Sequence, residues 1–283
     1  MRRFYAPPDA FTDDGSRVAL TREESRHLTD VLRLAAGEEV RVFDGEGREF
    51  LCVVGADAAR GARSATLEVR ARVEPPCAES PLDLTLAVAL LKGEKFDLVV
   101  QKTTELGVAR IIPVETGRTD VKLSRDGGER SGGSRSDDGA SKRVARWRRI
   151  AVEAAKQSGR ARVPEVDAPR SLTELLSQDS TSGSQDSTSR SQGSTFGTDA
   201  AARRLIFAER GGRGLVETFA AWGAKPARVV ALVGPEGGWE DEEIARAFEA
   251  GWQVVTLGGR ILRAETAGIV VAALLQYSFG DLR

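Results

Sequence analysis

Downstream of Glu74-Pro75-Pro76, strongly apolar runs alternate with amphipathic stretches, and this alternation limits the fold more than any single motif. LTLAVALL, residues 84–91, is apolar nearly throughout, as a strand covered on both faces requires. The stretch from Glu94 to Leu106 is spaced as a helix closed by Gly107, and RIIPVE returns as a strand. VARWRRIAVEAAKQ is a longer helix, and LIFAE, VVALV and QVVTL are further strands. ETAGIVVAALLQY is a last helix, apolar almost all round and therefore expected to be buried. Strands alternating with helices build a mostly parallel sheet with helices on both faces, so the expected class is α/β.

Residues 1–75 have a different texture and are expected to form a small, mostly β unit, with 76–283 as the second domain. Thr21-Arg-Glu-Glu24 is a capping box ahead of His27, Leu28, Val31, Leu32 and Leu34, a short amphipathic helix that stops near Gly37. EEVRVFDGEGREFLCVV supplies two alternating runs joined around Asp44-Gly45, a hairpin signal, and TLEVRARV alternates again. Two segments do not fit either plan. Residues 124–141 hold no apolar side chain larger than alanine, and residues 177 to about 202 open on a degenerate repeat, SQDSTSG, SQDSTSR, SQGSTFG. The first cannot repay the entropy of ordering, and the repeat of the second has nothing apolar recurring at coiled-coil seam positions, so both are expected to be flexible surface insertions.

Charge is balanced, with 41 Lys+Arg against 42 Asp+Glu, so any nucleic-acid site must be a local patch. Cys52, Cys77 and the single histidine, His27, lack metal-ligand spacing; free thiols and no metal are expected. No apolar run reaches membrane-spanning length, and MRRFYAPPDAF has no apolar core of a secretory signal. A cytoplasmic location follows as the expectation.

VGPEGGWEDEEI, residues 233–244, is a glycine-rich strand-to-helix turn, a form that often cradles phosphate. Here Glu240, Asp241, Glu242 and Glu243 occupy the first helical turn, where they satisfy the helix dipole themselves and repel an anion. The spacing also fits neither the P-loop nor the dinucleotide pattern. A ligand approaching these glycines should be neutral or cationic. TLGGRILRAETAG, residues 256–268, repeats the arrangement from another strand into another helix. Two such turns can line one crevice at the carboxyl ends of a sheet, although Glu265 and Thr266 can also serve simply as helix caps.

These two stretches together resemble the cofactor-binding signature of the SPOUT methyltransferases, specifically the RsmE type, which methylates N3 of a uridine in 16S ribosomal RNA. RRFYAPP, HLTDVLRLAAGEEVRVFDG, LLKGEKFDLVVQKTTELGVARIIPVETGRT, RWRRIAVEAAKQSGR and VPEV resemble the same family's blocks in the same order. The resemblance implies an N-terminal PUA-like β-barrel that binds RNA and a C-terminal α/β domain tied in a deep trefoil knot. It also implies a homodimer acting on the small ribosomal subunit, with S-adenosylmethionine as cofactor. That cofactor has no phosphate and carries two cationic groups, as the acidic turn independently requires.

On that reading Gly234, Pro235, Glu236, Gly237 and Gly238 form one wall of the cofactor site. Leu257, Gly258, Ile261, Leu262 and Arg263 form the other, and Glu209 at the end of LIFAE completes it. Uracil N3 bears a proton at neutral pH, so the site needs a group that stabilises negative charge and a proton acceptor. Arg263 is the first candidate for the charge role; Glu265 or a water is the candidate base. The methyl group is expected to move by direct displacement, without metal or covalent intermediate. RNA contacts are expected from Arg3, Tyr5, Arg33, Lys92, Lys102 and Arg118, with the Arg146–Arg149 run as either an RNA contact or a solvated helix face. Lys102 and Glu105 can equally be a helix-surface pair, and His27 is expected to pack or face RNA rather than act as a base. The alternatives are a SPOUT enzyme acting on ribose 2′-oxygen or on tRNA, and a non-catalytic RNA-binding factor on the same scaffold.

Overall fold

The structure, a computed structural model, describes residues 2–56, 64–119, 135–178 and 202–282. The chain divides into two compact units: Met1–Glu79 with Arg149–Pro164, and Ser80–Arg148 with Glu165–Arg283. The first unit is thus built from two separate stretches of chain.

In the first unit, strands β1 (Arg3–Tyr5), β2 (Arg17–Ala19), β3 (Glu39–Phe43), β4 (Glu49–Val54) and β5 (Thr66–Val73) form one barrel-like sheet in the order β1-β3-β4-β5-β2. β1 runs parallel to β3, and the other pairings are antiparallel. The Asp44-Gly45 hairpin forms as expected, with Asp44 Oδ1 accepting from the backbone N–H of Glu46 at 2.8 Å and Arg48 at 3.1 Å. Thr21 caps helix α1 (Arg22–Arg26) by accepting from the Glu24 amide at 3.3 Å, and a π-helical turn (His27–Val31) continues it. The chain leaves this helix at Arg33, whose φ of 56° lies in the left-handed region. Phe4, Val18, Leu28, Val40, Val42 and Cys52 fill the core.

The second unit contains β6 (Asp83–Ala89), α2 (Lys95–Glu105) and β7 (Arg110–Glu115), followed by α3 (Arg135–Ser158), within which the division between units falls. Then come β8 (Glu165–Val166), β9 (Arg170–Ser171), α4 (Leu172–Gln178), β10 (Arg203–Phe207), β11 (Arg213–Gly214) and α5 (Leu215–Ala220). β12 (Arg228–Val233), α6 (Asp241–Glu249), β13 (Gln253–Thr256) and α7 (Ala264–Phe279) complete it. The sheet order is β11-β13-β10-β12-β6-β7-β8, with β9 also on β7, and every pairing is parallel. On one face, α4 and α6 bring Leu172, Leu175, Leu176 and Ala247 onto Ala87, Ile112, Ile206, Leu232 and Trp252. On α7, Gly268 faces the methyl groups of Val88 on β6 and Val99 on α2.

Three expectations need correction. α7 is not buried all round in a single chain, because Tyr277 is 66% exposed. The insertion expected over 124–141 overlaps α3, whose backbone is helical from Arg135; extending an existing helix end requires no new nucleation. Ser177 and Gln178 likewise belong to α4, while the rest of both expected insertions lies outside the described residues. Among the described residues no helix is long and apolar enough to cross a membrane.

Candidate functional site

Because the sheet is parallel, every strand ends on the same edge, and β13, β10 and β12 lie side by side. Three loops leave that edge together: 257–263 after β13, 208–212 after β10, and 234–240 after β12. The loop after β12 is closed by its own side chain, Trp239, whose indole N–H donates to the Phe207 carbonyl at 2.8 Å. Gly238 N–H donates to Pro235 O at 3.1 Å, and Gly238 takes a φ of +72°, which a residue with a Cβ rarely adopts. A Cβ on Gly238 would stand 3.5 Å from Glu209 Oε1, so the carboxylate proposed from LIFAE does meet the glycine loop. The loop after β13 leaves from the β11 side of β10 and ends in α7, which packs on β6 and β12. It therefore returns from the β13 side of the sheet toward β12 and β6.

The first turn of α6 carries a buried carboxylate that ties the helix start to the turn after β7. Glu243 is 1% exposed and accepts from Gly117 N–H at 2.8 Å and from Glu240 N–H at 3.0 Å. One amide at the helix start, that of Glu240, is thus taken by the chain's own carboxylate. Glu236 pairs with Lys95 Nζ, and Arg118 Nε lies 3.8 Å from Glu240 Oε1. Much of the acidity seen in the sequence is thus internally compensated.

The residues proposed for chemistry stand in contrast. Arg263 is the N-cap residue of α7, exposed, and its guanidinium has no partner among the described residues. Glu265, in the first turn of the same helix, is 9% exposed, and its Oε2 is one of two buried side-chain polar atoms without a hydrogen bond among the described residues, the other being Trp252 Nε1. A buried carboxylate oxygen lacking a donor is costly, and a ligand donor or a substrate proton would satisfy it. Ile261 is 80% exposed, and Cβ positions built on Gly258 and Gly259 meet nothing within 4 Å. The loop after β13 is thus exposed around Gly258, Gly259 and Ile261.

The residues proposed for RNA are dispersed. Arg3 has its guanidinium engaged inside the first unit. Nε and Nη2 donate to the buried Glu49 carboxylate at 3.1 and 2.9 Å, while Nη1 and Nη2 donate to the carbonyls of Ala155, Lys156 and Arg160 at 3.3, 2.9 and 3.1 Å. Phe4 is core, and Tyr5 packs on Phe43 with ring centroids 5.4 Å apart. Burial, then the carboxylates of Asp9, Asp44 and Glu46, push the Tyr5 hydroxyl's pKa up; these surroundings disfavour a phosphate. Lys102 pairs with Glu105 at 3.0 Å, so the helix-surface reading holds for it. Arg146 pairs with Glu94 and Asp97, and Arg148 donates to the Val166 carbonyl at 3.1 Å. Trp147 between them is buried, its indole N–H on Asp97 at 3.0 Å. His27 packs edge-on to Phe4, and burial, ahead of Lys156, lowers its pKa. Arg33 and Lys92 are exposed, and Arg118 turns toward the glycine loop. Sequence reasoning missed Glu243 and Gly117 as the residues that seat this loop; the signal was the Glu240/Glu243 spacing of a capping box.

Comparison with known proteins identifies the family of both units. Residues 78–276 match the model of an RNA methyltransferase domain, and residues 20–60 that of an RNA methyltransferase PUA domain. A Synechocystis ribosomal RNA small subunit methyltransferase E is 32% identical over 90% of this chain and 71% of its own length. Its Bacillus subtilis namesake is 28% identical over 96% of this chain and 94% of its own. The crystal structure of the Neisseria gonorrhoeae methyltransferase E bound to S-adenosyl methionine is 32% identical, with a TM-score of 0.77 and 100% coverage of both chains. With both units matched and the catalytic-domain model covering most of the chain, this protein belongs to the RNA methyltransferase family of the ribosomal RNA small subunit methyltransferase E type.

Proposed function

We propose that the protein methylates N3 of one uridine in 16S ribosomal RNA of the small subunit, using S-adenosylmethionine. The observation that carries the reading is the pairing, on one helix start, of an uncommitted guanidinium at Arg263 with a buried, unsatisfied carboxylate oxygen at Glu265. The three loops suit the cofactor: they offer glycine backbone, open space at Gly258, and an acidic helix start that disfavours an anion. Gly234 to Gly238, with Leu257, Gly258, Ile261, Leu262, Arg263 and Glu209, would hold it; when bound, it supplies an electrophilic methyl group on a sulfonium.

The chain's own residues supply the rest. Arg263 stabilises negative charge developing on a uracil carbonyl oxygen as the N3 proton leaves. Glu265 Oε2 accepts that proton, directly or through water. Arg33 and Lys92 are proposed as RNA contacts, because both are exposed cations. A homodimer is proposed from the apolar surface that one chain leaves uncovered: Ile261, Tyr277 and, on the adjoining α2, Leu98. The trefoil knot is proposed from the path after β13, which returns from the β11 side of the sheet to α7 against β6, β12 and α2. Action on the small subunit would place the protein in the cytoplasm.

The test is incubation with methyl-labelled cofactor and small subunits lacking the modification, followed by nucleoside mass spectrometry. Label at N3 of a single uridine is expected. Label on a ribose 2′-oxygen or in tRNA, or no transfer while calorimetry registers cofactor binding, overturns the assignment.

A further inference from the structure

The glycine loop after β12 is braced by a segment outside the three loops already described. At the end of β7, the turn Thr116–Thr119 is internally locked: Thr116 N–H donates to Thr119 Oγ1 at 3.0 Å, and the two buried hydroxyls lie 2.7 Å apart. Gly117 N–H is fixed on buried Glu243 at 2.8 Å, and a Cβ on Gly117 would lie 2.9 Å from Glu240 Oε2. Between these anchors Arg118 reaches the loop, and its Nη1 donates to Gly237 O at 3.1 Å. A Cβ on Gly237 would lie 3.2 Å from Arg118 Cβ, so the approach is close along the whole contact.

We propose that Arg118 is a positioning residue for the cofactor loop, acting through the Gly237 carbonyl. The peptide unit is planar, so fixing the Gly237 C=O fixes the Gly238 N–H on the same plane. That N–H closes the turn on Pro235 O at 3.1 Å. A charged donor on the carbonyl polarises the peptide and strengthens the bond its N–H makes. Without it, the loop has glycine at 234, 237 and 238 and many conformations of similar energy. Arg118 thereby lowers the ordering cost that cofactor binding would otherwise carry. The inference rests on the reading of this loop as a cofactor wall, and it differs from an RNA contact in what it predicts.

The experiment is titration calorimetry of the full chain with S-adenosylmethionine in the absence of RNA, for wild type, Arg118→Ala and Arg118→Lys, with thermal unfolding of each. Arg118→Ala is expected to weaken cofactor binding about five- to tenfold, the size of one partly exposed charged hydrogen bond. Its Tm should stay within about 2 °C of wild type, because the side chain is largely solvated. Arg118→Lys, which keeps one donor, is expected to recover part of the affinity. In steady-state transfer, KM for the cofactor should rise in step while kcat at saturating cofactor holds within about twofold. Unchanged cofactor affinity with a raised KM for the small subunit would make Arg118 an RNA contact and overturn the proposal. So would a parallel collapse of Tm and binding in both variants. A wild-type chain that binds no cofactor would sink the reading of the loop itself, and this inference with it.

Discussion

Arg3 and Arg263 both stand beside the start of a regular element, and the sequence marks both as functional. The structure commits the first and leaves the second free. Arg3 is enclosed by Glu49 and by three carbonyls from the end of α3 and just beyond, with its guanidinium carbon also 4.7 Å from the Phe43 ring centroid. Arg263 caps α7 with its backbone, and its side chain has no partner among the described residues. Glu49 and Glu265 differ in the same way, the former served by Arg3 and Arg41, the latter buried with an oxygen unpaired. Satisfied buried charge marks scaffold; unsatisfied charge beside open glycines marks a site.

The contrast is broken most directly by truncating each arginine. Arg3→Ala leaves Glu49 buried with only the more distant Arg41, and should cost about 3–5 kcal/mol of unfolding free energy in a urea titration. A loss below about 1 kcal/mol would show that the clasp is not structural. Arg263→Ala should behave oppositely, with stability unchanged within about 0.5 kcal/mol and methyl transfer down about a hundred- to a thousandfold. Retention of full transfer would remove Arg263 from the chemistry even with the overall function intact.

Glu243→Ala tests the join between scaffold and site. It deletes two part-buried hydrogen bonds from backbone amides and is expected to cost about 1–2 kcal/mol, with weaker cofactor binding measured by calorimetry. An unchanged affinity would detach the α6 cap from the loop. Glu265→Gln removes a charge that the fold buries incompletely satisfied, so Tm should hold or rise by about 2–4 °C while transfer falls. A clear drop in Tm would reveal a structural partner instead. The smallest effect is expected at Cys52, whose thiol burial pushes up to about 12. It should resist alkylation at pH 8 in the native protein and react only on unfolding, because the thiolate is the nucleophile.

Much of the second unit was legible because its strands and long helices carry local periodicity. β6, β7, β10, β12 and β13 fall where the apolar runs are, and α7 follows the last glycine turn. The short helices α4 and α5 were not read, being too brief for a 3.6-residue pattern to establish itself. Both glycine loops were legible from composition and position. The brace from Arg118 was not, because it joins residues 119 apart in the chain. The commitment of Arg3 was hidden for the same reason: the sequence shows a cation beside aromatics, and its partners lie 46 and more than 150 residues away.

By itself the sequence determined the parallel α/β plan, the β texture of the first 75 residues, and the two glycine-rich strand-to-helix turns. Those properties follow from periodicity, turn chemistry and helix-end charge, all of which act over a few residues. Only the tertiary structure decided which charges are neutralised, that Arg149–Pro164 joins the first unit, and that Glu265 is buried with an unpaired oxygen. Those depend on which distant groups arrive at hydrogen-bond distance, and a local pattern carries no record of that.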